Sequence, residues 1–199
     1  MPNWCNNNIV ITHSDKDKIK ALYDKIEQWT SKNYEENDFG NNWLGNVVLG
    51  SGINTDNLQY RGLITSLGFT DLKDDGGQIE MFTDTAWCPM IEMWQRVVDK
   101  HLHGADITFS SEEPGCGIYA TNDPDYDNCY VIDIYGDIPD DFEDGWESMW
   151  EASDATVIDF CQKALKTNET DIEKLLESIK ELDWVAINRW KHCEIENCE

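Results

Sequence analysis

The sequence is poor in positive charge. Its 199 residues include 40 Asp and Glu against 15 Lys and Arg, a formal net charge of −25. No lysine or arginine occurs between Lys100 and Lys163, a stretch that holds 16 Asp and Glu. Because nucleic-acid backbones and anionic lipid surfaces are polyanions, this deficit argues against direct nucleic-acid binding and against binding over a membrane surface.

Other signals are also missing. No run of about 18 apolar residues occurs, which predicts no membrane-spanning segment. Residues 1–5 lack the basic and apolar regions of a secretory signal, which predicts a cytoplasmic protein. The seven cysteines show no C-x-x-C spacing and are expected to be free, mostly buried thiols. No common nucleotide-binding, serine-hydrolase or zinc-protease motif is present, so we expect no catalytic residue, metal or cofactor, and the sequence favours a protein that is not an enzyme.

What is present predicts a folded chain. Hydrophobic residues make up 40% of it, and nine are tryptophan, so enough apolar surface exists to offset the entropy of ordering. Hydrophobic periodicity and turn residues predict a strand over 4–12, followed by a helix from a Ser14 cap to about residue 30. Two strands are then expected over 61–69 and 78–83, joined by a turn at 74–77. A helix after Pro89 and a strand over 105–111 complete the series. This order is the β-α-β-β-α-β pattern of a ferredoxin-like sandwich with an antiparallel sheet.

The C-terminal part predicts additional elements. A further strand is expected over 130–135, followed by two helices and a terminal strand within 184–195. Ser153 is the expected cap of the first helix, and Thr170 with Glu173 the capping box of the second. We therefore predict an α+β protein with a ferredoxin-like domain over 1–136, an added strand, and an acidic and helical C-terminal appendage over 137–199 packed on it.

Three motifs resemble a known family. Residues 1–7 are MPNWCNN, residues 82–89 are FTDTAWCP, and residues 112–119 are EEPGCGIY. Their order and spacing resemble the YubB-like family of ferredoxin-like proteins, over about residues 1–135. The resemblance implies the ferredoxin-like fold and a context of plasmids, phages and their bacterial hosts. The family supplies no catalytic residue to carry over.

The densest run of negative charge lies within residues 137–151, which we call the acidic segment. Carboxylates spaced along a surface can imitate nucleic-acid phosphates, and aromatic residues among them can anchor a partner. The predicted partner-binding residues are Asp137, Asp140, Asp141, Glu143, Asp144, Glu147, Trp146 and Trp150. The alternative is a solvated face on which the two tryptophans, four residues apart, pack a short amphipathic helix onto the core.

The first functional hypothesis is a non-catalytic binding protein. Its acidic face would engage a basic host protein. A protein that handles nucleic acid fits this description, because it presents a Lys- and Arg-rich groove. A purely structural interaction domain is a further alternative. The oligomeric state is left open.

A small-molecule or metal site is the second hypothesis. Its predicted residues are Trp87, Cys88, Glu112, Glu113, Tyr119, Asn122 and Asp123. Glycines in the 112–123 loop would let a ligand approach closely, but a β-bulge or wide turn needed for the fold alone is the favoured explanation. Cys88 before a helix is the best nucleophile candidate, but it would need a histidine base among residues 13, 101, 103 and 192.

Two metal-like patterns are weak. Asp123, Asp125 and Asp127 have the spacing of the first calcium-loop ligands, but Asn128 and Ile134 stand where an EF-hand needs Gly and Glu. His101 and His103 are two residues apart, so they would not share one helix face.

Overall fold

The computed structural model of the protein describes residues 3–32, 34, 40–140, 142 and 146–195. Contacts within the chain divide it into two units. The first contains the residues up to Asp123 together with those from His192 onward, and the second runs from Pro124 to Lys191. The described residues form five α-helices and two β-sheets, so the expected α+β class is confirmed.

The first unit is built on an antiparallel sheet. Its elements are β1 (Trp4–His13), α1 (Lys16–Thr30), α2 (Leu44–Ser51), β2 (Gly62–Asp71), β3 (Gly77–Ala86), α3 (Ile91–His101), β4 (Asp106–Glu113) and β5 (Ile118–Thr121). The short strand β9 (Lys191–His192) joins this sheet at the point where the chain returns from the second unit, and the six strands lie in the order β2-β3-β1-β4-β5-β9. The central strand β1 pairs with β3 on one side and β4 on the other.

One face of this sheet carries the apolar core. Ile9 and Ile11 of β1 lie opposite Met81 and Ile79 of β3, and all four are buried. The helices α1, α2 and α3 contribute the remaining buried residues of the same cluster. Because successive strand residues point to opposite faces, the even-numbered residues of β1 and β3 lie on the other face of the sheet.

The first helix begins one residue later than expected. Asp15, and not Ser14, is the N-cap, and its Oδ1 accepts a hydrogen bond from the Lys18 backbone N–H at 3.1 Å. Both residue types are good caps, so the sequence did not distinguish them. The predicted inward residues Ile19 and Leu22 are buried as expected.

The second unit is smaller and has its own sheet. Its elements are β6 (Tyr130–Ile134), β7 (Met149–Ala152), α4 (Asp154–Leu165), α5 (Ile172–Ile179) and β8 (Val185–Arg189). The strands lie in the order β7-β6-β8. Tyr130, Phe160 and Trp184 are central members of its buried core.

The chain divides earlier than the expected boundary after residue 136. The strand expected to extend the first sheet is β6, and it pairs instead with β8, where Tyr130 lies opposite Arg189. Strand pairing between residues so far apart in the chain leaves no local signal. Residues 130–136 therefore belong to the second unit.

Three local predictions from the sequence, two helix caps and one short helix, can be compared with the second unit. The Ser153 hydroxyl caps α4 by accepting from the Thr156 N–H, as predicted. The cap of α5 is Asp171 instead of Thr170. The amphipathic helix considered for Trp146 and Trp150 is wrong, because residues 149–152 form the strand β7.

Candidate functional site

The structure exposes the described carboxylates of the acidic segment. Asp137, Asp140, Glu147 and Glu151 are all solvent-exposed. Asp141, Glu143 and Asp144, which complete the predicted set of carboxylates, lie outside the described residues. The described part of the segment is therefore a negatively charged surface, as either interpretation of its sequence requires.

The two predicted tryptophan anchors have different environments. The ring centroid of Trp146 lies 5.0 Å from that of Phe160, with the planes nearly perpendicular, and the Lys163 Nζ lies 5.3 Å from the Trp146 ring. Trp146 therefore packs on the core of the second unit. Trp150 lies on the edge strand β7 and is 50% exposed. Only Trp150 keeps the exposure that a partner anchor needs.

Two exposed side chains, one just before the acidic segment and one within it, were not predicted. Tyr135 is 61% exposed and Ile138 is 44% exposed. Both follow β6, where the Tyr135 backbone N–H donates to the Trp184 carbonyl at 3.0 Å and fixes the exit of the chain. The sequence did hold one indication of this exposure, which is the end of the apolar run 130–135. Apolar residues just beyond the end of a strand have no neighbouring strand to cover them.

The exposed carboxylates have no cation of their own. Among the described residues, Asp137, Asp140, Glu147 and Glu151 take part in no ion pair. Four of the six lysines and arginines of this unit pair with carboxylates outside the segment: Lys163 with Asp159, Lys174 with Glu169, Lys180 with Glu177, and Arg189 with Glu173. The sequence explains this separation, because no lysine or arginine precedes Lys163 within this unit. The four described carboxylates therefore contribute negative potential at the surface of this unit.

The sheet brings part of the second predicted site together. Trp4 lies opposite Ala86, and Asn6 opposite Glu112. The Trp87 backbone N–H donates to the Asn3 carbonyl at 2.9 Å. Trp87, Cys88, Glu112 and Glu113 therefore gather at the end of the sheet where β1 begins.

Three of the predicted ligand residues have structural roles instead. The buried Glu113 carboxylate accepts the backbone N–H groups of Gly115 and Cys116, and so caps the turn after β4. Tyr119 is buried. The Asn122 side chain accepts from the Phe109 N–H at 2.8 Å and donates to the Ile107 carbonyl at 2.7 Å, which ties it to β4. These roles favour the interpretation of the 112–123 loop as a turn needed for the fold.

The surroundings of Cys88 do not favour a nucleophilic thiolate. Burial first, and then the negative charges of Cys88, Glu113 and Glu112, together raise the pKa of neighbouring Cys5 to about 12. A reactive cysteine needs an electropositive setting. His13 bonds to the Asp15 backbone and His101 lies 3.0 Å from the Ser51 carbonyl, so both histidines are engaged elsewhere.

The described residues contain no group of three or more His, Cys, Asp and Glu side chains arranged to hold a metal ion. The aspartates at 123, 125 and 127 accordingly do not form such a group. Within the same ranges, no helix is long and apolar enough to cross a membrane. No protein-family profile, curated protein or solved structure matches this chain.

Proposed function

We propose that this protein is a non-catalytic binding protein whose acidic segment engages a basic protein partner. One observation carries the proposal: the described carboxylates Asp137, Asp140, Glu147 and Glu151 are exposed, and the same stretch of the chain holds the exposed side chains of Tyr135, Ile138 and Trp150. Exposed apolar side chains grouped with charged ones mark interaction surfaces, whereas a surface that serves solubility alone carries few of them.

Charge and apolar side chains contribute differently to such an interface. Complementary charges accelerate encounter and select a cationic partner, whereas desolvated aromatic side chains supply most of the affinity. Trp150 lies on the edge strand β7, and in the chain it stands between the exposed residues Glu147 and Glu151. The partner class that fits is a protein with a Lys- and Arg-rich groove, as proteins that handle nucleic acid have.

We further propose that the first unit is a ferredoxin-like sandwich of the YubB-like family. The order β2-β3-β1-β4, with α1 between the first two strands of the chain and α3 before β4, supports the β-α-β-β-α-β pattern. The motifs of residues 1–7, 82–89 and 112–119 support the family. A cytoplasmic protein from a mobile genetic element, acting on a host protein, is the context in which we place the binding function.

The test compares three baits in a pull-down from bacterial lysate. The first is the native chain, and the second carries Asp137→Asn, Asp140→Asn, Glu147→Gln and Glu151→Gln. The third is a matched control that neutralises four exposed carboxylates of the first unit: Asp17, Asp56, Asp74 and Asp75. We expect Lys- and Arg-rich proteins on the native and control baits, and their loss from the second bait.

Salt and the apolar anchor supply two further readouts. Raising the salt to about 1 M shortens the Debye length to about 3 Å and should release the captured proteins. A Trp150→Ala bait keeps the charge and should still lose affinity, because it removes an anchor. Equal capture by the native and charge-neutralised baits would overturn the proposal and leave the charge as a solubility device.

A further inference from the structure

The second face of the large sheet carries a cluster that the proposed function does not use. Strand register places Asn8 opposite Phe82, and Asn6 between Asp84 on β3 and Glu112 on β4. Glu80 lies two residues before Phe82 and therefore on the same face. We call these six residues the β1–β3 face.

An exposed aromatic ring stands at the centre of this face. Phe82 is 44% exposed although it lies in the middle of β3. The Asn8 side chain across from it has a buried Oδ1 with no hydrogen-bond partner. Exposed phenylalanine and an unsatisfied amide acceptor both cost free energy in an isolated protein. A bound partner would cover the exposed ring and so remove that part of the cost.

The charges of this face are of one sign. Phe82 has Glu80 and Asp84 on either side along β3, and Glu112 lies one strand further. The strands β1 to β5 contain no lysine or arginine. Burial raises the pKa of the Asp84 carboxyl, the direction expected for a carboxylate that is partly desolvated without a cation.

The chain itself shows which group such rings accept. At the end of β3, the Arg61 guanidinium carbon lies 5.5 Å from the Trp87 ring centroid, within cation–π distance. Along β3, side chains on one face repeat about every 7 Å. A guanidinium over Phe82 would therefore lie within reach of a carboxylate on either side, and its planar fork suits carboxylates better than an ammonium does.

We propose that the β1–β3 face docks an extended, arginine-bearing segment of a protein partner, with a guanidinium on Phe82 and its N–H groups directed to Glu80 and Asp84. This surface is separate from the acidic segment and does not rest on the function proposed for it. Charge repulsion disfavours a nucleic acid or a second copy of this face as the occupant.

The test is a titration of the ¹⁵N-labelled full chain with a short peptide of alternating Arg and Gly, followed by amide chemical shifts. We expect the largest shifts at Asn6, Asn8, Phe82 and Asp84. Phe82→Leu keeps an apolar residue on the exposed strand but removes the ring, and should weaken binding about three- to fivefold. Asp84→Asn should weaken it by a similar factor, and the same peptide with Lys for Arg should bind less tightly.

Charge-matched variants separate this site from general attraction to an acidic protein. Asp74→Asn with Asp75→Asn, in the hairpin turn of the same unit, should leave binding unchanged. The chain neutralised at residues 137, 140, 147 and 151 should still bind at the β1–β3 face. Shifts centred on residues 135–151, shifts that follow protein concentration without peptide, or native affinity in Phe82→Leu would each overturn the proposal. The proposal for the β1–β3 face and the proposal for the acidic segment can therefore be refuted independently.

Discussion

The first unit fills its core mainly with aliphatic side chains, whereas the second relies on aromatic rings. Ile, Leu, Val and Met dominate the buried cluster of the first unit. In the second, the rings of Phe142, Trp146, Phe160 and Trp184 contact one another with centroids 4.9 to 6.0 Å apart. Because aromatic side chains bury more surface each, they allow a short chain to form a core.

The two units also differ in charge. Residues 124–191 contain 18 Asp and Glu and 6 Lys and Arg, while the rest of the chain, about twice as long, contains 22 and 9. The cations of the second unit lie mostly on or beside its helices and pair there. The second unit carries the larger excess of negative charge per residue, and its aromatic core must hold it together against this repulsion.

The largest expected loss of stability comes from removing a ring from the aromatic core of the second unit. Phe160→Ala removes the ring that contacts Phe142, Trp146 and Trp184. Large-to-small changes of this kind cost about 3–5 kcal/mol, a large share of the roughly 5–15 kcal/mol that stabilises an ordinary domain. Hydrogen exchange should show amides 124–191 losing protection while amides of the first unit keep theirs.

The matched change in the first unit is Phe109→Ala, at a ring that is also buried. It should lower the protection of β1, β3 and β4 and spare the second unit. Loss of protection in both units in either variant would show that they unfold as one, and the comparison would then fail.

Local patterns predicted most elements but not their partners. The spacing of Ile19, Leu22 and Ile26 identified α1, because one helix face repeats every three to four residues. The β-branched run at 130–134 identified a strand. Its partner Arg189 could not be inferred, since pairing depends on contacts between distant residues. The division between the units depends on that pairing.

For the acidic segment, the sequence predicted which carboxylates are exposed better than it predicted which aromatic rings pack on the core. Exposure of Asp137, Asp140 and Glu147 followed from composition, because unpaired carboxylates are rarely buried. Whether Trp146 or Trp150 was the exposed anchor depended on which ring Phe160 packs against. Phe82 gave no signal of its exposure, because aromatic residues in strands are usually half-buried.

The next largest loss of stability is expected from breaking a polar network at the end of the large sheet. The Asn7 side-chain amide donates to the Thr83 carbonyl at 3.1 Å and to Thr85 Oγ1 at 2.9 Å, and all three residues are buried. Asn7→Ala leaves buried acceptors unsatisfied, which costs about 1–3 kcal/mol. Urea denaturation should report this as a lower midpoint for the first unit. Asn6→Ala, on the exposed face, is the control, and an equal loss in both variants would contradict the role of the network.

Replacing the residue at the C-terminal cap of a helix should change the free energy of unfolding by about 1 kcal/mol. In the first unit, α2 ends at Gly52 with φ +61°, whereas α4 in the second ends at Lys166 with φ +52°. Lys166→Gly should stabilise the second unit, because glycine adopts this left-handed conformation without a Cβ clash. Gly52→Ala should destabilise the first unit by a similar amount. Thermal unfolding checks both signs, and a gain from Lys163→Gly within α4 would contradict the explanation.

The smallest expected effect is a pH dependence confined to the first unit. Burial lowers the pKa of His101 below its ordinary value of 6.5, although the Ser51 carbonyl acts in the opposite direction. The unfolded chain therefore takes up this proton first as the pH falls. The contribution of His101 is neutral well above pH 6.5, becomes unfavourable as the pH falls through 6.5, and levels off below the folded pKa.

The His101→Gln variant isolates this contribution, because the carboxylates of the chain also titrate at acidic pH. Subtracting its unfolding free energy from that of the native chain between pH 8 and 5 should give a difference that declines only below about pH 6.5. Hydrogen exchange should locate the decline in α3 and in the end of α2 that His101 contacts. A difference that stays constant over this range would show that His101 is protonated equally easily in both states, and its partial burial beside Trp29 would then have no electrostatic cost.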